Sequence, residues 1–301
     1  MCSRSILEIA VNRVFIVVTF WLITSPIILA GLSFGVNAAT CDQRIHADSG
    51  VKTVSIAELY TSEGCDSCPP ADKWFSTLSF EKNGVVPLAF HVDYWDYIGW
   101  KDRFGKPGFA ERQRKVVGLQ GSRTVYTPQV MLDGKNVRNA VDYYVSNLGS
   151  SDAQLDSSIR DLAAKPAQVS LKLRAQPALN AIDVAVAVGL SDGLLRKAGA
   201  SSLSLYIVLT ENNLVSRVTA GENKGALLKH NHVVRELSGP IQIPVDAGSS
   251  TDNANSAGEI KTTISLPKDW KRENLNLVAF VQNNRSGQVL QAVSVPVCAP
   301  L

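Results

Sequence analysis

Cys65 and Cys68 stand three residues apart in "TSEGCDSCPP", residues 61–70. Two thiols at that spacing can cycle between dithiol and disulfide, supply half of a soft-metal site, or close a small structural loop. Their setting narrows the choice. The pair follows a short apolar run, "VSIAELY", and precedes "PPADKWFSTLSF", which has proline at a helix's first turn and apolar Trp74, Phe75, Leu78 and Phe80. A strand-to-helix turn places Cys65 at the helix end, where free N–H groups and the helix dipole favour a thiolate. Cys65 is therefore expected to be the attacking and more accessible thiol, with Cys68 as the resolving one. Asp66, between them, works the other way, because a neighbouring carboxylate disfavours a thiolate. That argues against a strong oxidant and for a reductant or an exchanger of moderate potential. A reductant needs an electron donor, and the sequence identifies none.

Other residues can join this chemistry. His91 lies in the apolar run "VVPLAFHVD", where three readings stand: a buried histidine held by a hydrogen bond, a group that tunes or deprotonates a cysteine, or a metal ligand. The stretch "HVDYWDYIGWKDRFG" then concentrates Tyr94, Trp95, Tyr97 and Trp100 with Asp93, Asp96 and Asp102. These residues can line a groove beside Cys65 or form a hydrophobic cap. In "LLKHNHVVREL", His230 and His232 are expected on a solvated strand or loop, and two histidines alone make a poor zinc site. No metal site and no cofactor are assigned.

The elements that must position these groups fall into two grammars. From Val54 to about Ala164, strand-like and helix-like runs alternate: "VVPLAFHVD" as a strand buried on both faces, "GFAERQRKVVGLQ" as a helix, "PQVMLDGKNV" as a hairpin turning at Asp133-Gly134, and "DAQLDSSIRDLAAK" as an amphipathic helix. Beyond Lys165-Pro166 the period becomes two. Seven alternating runs, separated by turn-rich segments, predict an antiparallel β-sandwich. Residues 246–259, "DAGSSTDNANSAGE", read as one polar loop.

The chain opens with Arg4 and Arg13, an apolar run from Val14 to Val36, and small residues around "VNAATC". This order predicts a secretory signal over residues 1–38, cut after Ala38, and a periplasmic or secreted product. A membrane enters only if the signal stays uncleaved. Cys2 leaves with the signal, so four cysteines remain: Cys65 with Cys68, and Cys41 with Cys298 as a candidate staple. The net charge is +3 and no basic run stands out, so nucleic-acid binding has no support.

Three separated motifs, "ELYTSEGCDSCPPAD", "PLAFHVDYWDYIGWKD" and "VYTPQVMLDG", resemble the DUF1223 family of exported proteins. The resemblance implies a thioredoxin-like fold for residues 53 to about 165. The expected architecture is therefore an α/β thioredoxin-like domain with an aromatic insertion over 39–165, followed by an all-β antiparallel sandwich domain over 166–301. Similarity to the wider superfamily also implies that Pro128 is a cis-proline beside the cysteines that keeps metals off them. It implies that Thr127 offers backbone groups to a passing peptide. Tyr94 and Trp95 are the candidate substrate-binding aromatics. The expected function is an exported thiol–disulfide oxidoreductase acting on protein thiols. The alternative is a non-catalytic binding protein, either a copper or zinc carrier using the same cysteines with His91 or a scaffold with a structural disulfide.

Overall fold

A computed structural model describes residues 41, 43–137, 153–244 and 257–298. The expected signal segment and most of the 246–259 loop lie outside the described residues. Among the described residues no helix is long and apolar enough to cross a membrane.

The first half supplies strands β1 (Ile45–Asp48), β2 (Ser55–Thr61), β3 (Val85–His91), β4 (Gln129–Leu132) and β5 (Lys135–Asn136). Its helices are α1 (Cys68–Phe75), α2 (Phe80–Asn83), α3 (Pro107–Leu119) and α4 (Ala153–Ala163). The expected 69–80 helix is thus interrupted: α1 stops at Ser76, and Ser79 caps a fresh turn by accepting from Lys82 N–H. The second half supplies β6 (Val169–Pro177), β7 (Ala181–Leu190), helix α5 (Asp192–Ala198), β8 (Leu203–Glu211), β9 (Leu214–Arg217) and β10 (Leu227–His230). It ends with β11 (Val233–Gln242), β12 (Ala257–Ser265), β13 (Leu275–Asn283) and β14 (Val289–Pro296).

The expectation of an α/β thioredoxin-like domain followed by a separate β-sandwich is overturned by the sheet topology. One eight-stranded mixed sheet runs β14-β13-β8-β11-β3-β2-β4-β5, so it draws strands from both sides of residue 166. Its seam is the parallel contact of β11 with β3, where Val233 pairs with Ala89 and Ala89 N–H donates to His232 O at 2.8 Å. The physical reason is the free edge of β3. A buried strand with unpaired backbone groups needs a partner, and β11 takes that edge while β8 closes its other side. The antiparallel sheet β1-β6-β7-β12 likewise mixes halves, because β1 pairs with β6. Period-two patterning predicted the strands of the second half but not their partners.

Alternation along the strands builds three cores. One face of the large sheet carries Tyr60, Phe90, Met131, Tyr206, Val278 and Phe280 beneath α3. The opposite face is covered in two parts: Leu59, Ala89 and Val130 by Phe75 of α1 and Ile159 of α4, and Leu205, Ile207 and Leu277 by the four-stranded sheet. A buried ion pair of the first half reaches across to the second. Arg112 of α3 pairs with Glu58 of β2 and donates to Gln282 Oε1 of β13 at 3.2 Å. Its guanidinium also lies over the Tyr206 and Phe280 rings. Cys41 and Cys298 form a disulfide across a separation of 257 residues, as the cysteine count suggested.

Candidate functional site

At the end of β2 the chain turns through Ser62–Ser67 into α1. Cys68 is the first helical residue, and prolines occupy the next two positions, where no N–H is needed. Cys65 closes the preceding turn: its N–H donates to Ser62 O at 3.2 Å, and Cys68 N–H donates to Cys65 O at 3.2 Å. The two sulfurs are joined as a disulfide, and both residues are 0 % exposed. This corrects the expectation of an accessible Cys65 at the helix end, since Cys68 holds that position and neither sulfur reaches the surface. Part of the turn's packing comes from far away in sequence. Asn223, between β9 and β10, donates through Nδ2 to Glu63 O and to Cys65 O, each at 2.9 Å. Glu222 Oε2 accepts from Asp66 N–H at 3.3 Å, while the Asp66 side chain stays exposed.

Ser67 Oγ lies 3.4 Å from Cys65 Sγ. The bonded sulfur carries no hydrogen, so the hydroxyl is the donor, and it would serve a thiolate equally. On the other side, Cys65 Sγ is 3.8 Å from Thr127 O. The Thr127–Pro128 peptide bond is cis, and Pro128 is buried at the start of β4. Trp95 Nε1 donates to Thr127 Oγ1 at 2.6 Å, which fixes that wall. Tyr94 is half-buried and donates its hydroxyl to Gln113 Oε1 at 3.2 Å. Tyr97 is 81 % exposed and takes no part. The aromatic segment thus divides into residues that brace the cysteine turn and one that faces solvent.

Under the turn lies a buried polar cluster. Asp102 Oδ2 accepts from His91 Nδ1 at 2.7 Å and from Glu63 N–H at 2.8 Å. Glu63 Oε2 accepts from Trp100 Nε1 at 2.8 Å, and Glu63 Oε1 is 3.2 Å from His230 Nε2. His230 is therefore buried, contrary to the expected solvated position, because β10 docks over the cysteine turn rather than standing in water. Asp72, one helical turn beyond Cys68 on the same buried face of α1, faces this cluster.

These groups shift one another. Burial raises the Asp72 carboxyl above its ordinary range, only partly offset by the His230 and His91 charges. Burial alone would lower His91, but the Asp102 carboxylate in contact reverses this and holds it above the usual histidine value. Glu63 and Asp102 feel burial in the raising sense, yet their histidine partners bring both below the ordinary carboxylate range. His91 Nε2 is buried with no hydrogen-bond partner among the described residues. His232 lies apart from the cluster, and burial pushes it down to about 4. Among the described residues, no three His, Cys, Asp or Glu side chains are grouped so as to hold a metal ion.

Glu63, Asp72, Ser67 and Asn223 carry this geometry without having been singled out from sequence. A signal existed for two of them. Glu63 lies beside the Cys-x-x-Cys turn, and Asp72 sits four residues after Cys68 on a face whose neighbours are apolar.

Fold and site define a β-rich protein whose mixed eight-stranded sheet carries a buried Cys-x-x-Cys disulfide over a histidine–carboxylate cluster. The chain belongs to the DUF1223 family, described as protein of unknown function, whose model matches residues 56–282. No curated protein matches it. Among solved structures it is similar to the crystal structure of a protein from Agrobacterium tumefaciens, at 22% identity and a TM-score of 0.52. That match covers 84% of this chain and 98% of the other, and it supports the fold alone. A domain of the outer membrane lipoprotein Omp28 from Porphyromonas gingivalis matches at 16% identity and a TM-score of 0.25, over 43% of this chain and 87% of that one.

Proposed function

We propose that the chain exchanges disulfides with protein thiols through Cys65 and Cys68, in a compartment outside the cytosol. The observation that carries the reading is the surroundings of the pair: Ser67 donating to Cys65, the Thr127 carbonyl beside it, and the buried Asp72 carboxyl, raised by burial, on the Cys68 helix face. A structural role explains the pair less well. Bridging residues three apart removes little freedom from the unfolded chain, whereas Cys41–Cys298 closes nearly the whole chain. Two disulfides in one chain also support an oxidising compartment.

In the forward step a partner thiolate attacks Cys65, a mixed disulfide forms, and the Cys65–Cys68 bond breaks. Cys68 leaves as a thiolate and takes a proton, with Asp72 the nearest buried acid on its helix face. The partner's second thiol then attacks its own mixed sulfur and releases Cys65. The partner departs oxidised, and two electrons reside on Cys65 and Cys68. Run backwards, the same steps reduce a partner disulfide. The carboxylates of Asp66 and Glu222 around the turn disfavour a Cys65 thiolate, which supports a reductant or exchanger over a strong oxidant.

The test is exchange of the purified protein with a denatured protein dithiol and with its disulfide, scored by mass at Cys65 and Cys68 and run beside Cys65→Ser and Cys68→Ser. Exchange that disappears in both variants supports the reading. Complete burial favours a second reading, a structural disulfide. Absence of exchange in both directions, with the fold intact, would establish that one instead.

A further inference from the structure

Cys65 and Cys68 are fully buried, and among the elements around them one turn from the other half, residues 218–226, is bonded to the backbone of the cysteine turn. Strands β9 and β10 pair only with each other and join neither large sheet. A lone two-stranded hairpin is marginal in water, so its position depends on its anchors. Its base is held by buried Leu228 and by His230 against Glu63. On β9, Arg103 donates to Val215 O at 2.9 Å. At the tip, Gly221 closes on Trp100 so tightly that an added Cβ would sit 3.1 Å from the tryptophan's own Cβ. The tip's grip on the cysteine turn itself is the Asn223 amide on Glu63 O and Cys65 O, plus Glu222 on Asp66 N–H.

We infer that the 218–226 turn is a gate on the cysteine pair and that Asn223 occupies the place of a substrate backbone. This rests on the disulfide-exchange reading and names its substrate class: an extended peptide segment flanking a cysteine. The chemistry is that of two acceptors. Asn223 presents two N–H hydrogens to the carbonyls of Glu63 and Cys65, and a third backbone acceptor, Thr127 O, lies 3.8 Å from Cys65 Sγ. An extended peptide presents backbone N–H donors along its edge and can replace those of the amide as the tip lifts. A compact thiol with no such donors gains nothing from the displacement. The gate therefore selects peptides over small thiols and shields the pair until one arrives.

The experiment measures reduction of Cys65–Cys68 by dithiothreitol, read by alkylation and mass mapping, in the unaltered protein, Asn223→Ala and Asn223→Asp. Two neutral hydrogen bonds of ordinary net strength correspond to an increase of about tenfold or more in the rate for Asn223→Ala. Asn223→Asp should be at least as fast, because its carboxylate offers no donor and faces two carbonyls. Equal rates in all three folded proteins overturn the gate. Should these variants not fold, Cys68→Ser carrying a cysteine peptide as a mixed disulfide on Cys65 decides it by hydrogen exchange: amides of 218–226 must lose protection, and retained protection overturns it. Accelerated reduction without exchange on protein thiols would leave the gate standing and remove the exchange reading.

Discussion

Asp133 offers a stability test whose size follows from the structure. It opens the β4–β5 turn with a left-handed φ of 47°, and its Oδ1 accepts from Ile56 N–H at 2.9 Å. Its other oxygen, Oδ2, is buried with no partner among the described residues. Burial, opposed by the Ile56 hydrogen bond, pushes its carboxyl from the ordinary 3.8 up to about 7. The sign follows. In the unfolded chain the group ionises near its ordinary value, while in the fold it holds its proton longer. Its stabilising contribution is therefore complete at low pH and is lost as pH rises through the folded value. A shift of about three units, at about 1.4 kcal/mol each, makes this loss about 4 kcal/mol. Asparagine tolerates the left-handed backbone, keeps the oxygen that accepts from Ile56, and does not titrate. Urea unfolding of the unaltered protein and Asp133→Asn, disulfides intact, from about pH 4 to about pH 8, should show the variant gaining about 1.4 kcal/mol per pH unit relative to the parent up to about pH 7 and levelling off above it. Parallel stability curves would refute the reasoning and show that Asp133 is already ionised in the fold.

Arg112→Leu should lower unfolding free energy by about 3–5 kcal/mol in denaturant titrations, because it leaves Glu58 charged and unpaired in the core. Adding Glu58→Gln to that variant should recover part of the loss. Replacing Cys41 and Cys298 together by serine should cost about 3–5 kcal/mol and lower the Tm, since this bridge closes the longest loop in the chain. In the exchange assay, Asp72→Asn should remove a pH inflection lying above the ordinary carboxylate range, while Asp161→Asn, on the exposed side of α4, should leave it in place.

Local chemistry was legible in the sequence. The Cys-x-x-Cys turn, the strand before it and the helix after it, the hairpin at Asp133-Gly134, the alternating strands of the second half and the distant cysteine pair all rest on spacing within a few residues or on a count of cysteines. The pairing of those strands was not legible. Backbone hydrogen bonding is the same for any partner, so nothing in "VVPLAFHVD" records that β3 takes β11 across more than a hundred residues rather than ending its sheet. The same limit hid the site's cover. His230 reads as a solvated residue, and Asn223 carries no signal, until β9 and β10 fold over the turn, where His230 meets Glu63 and Asn223 meets Cys65. Sequence determined by itself which residues can do thiol chemistry. Tertiary structure alone decided whether they are exposed and which groups surround them, because burial and charge are set by neighbours distant in sequence: Asp102 and His91 from the same half, His230 and Asn223 from the other.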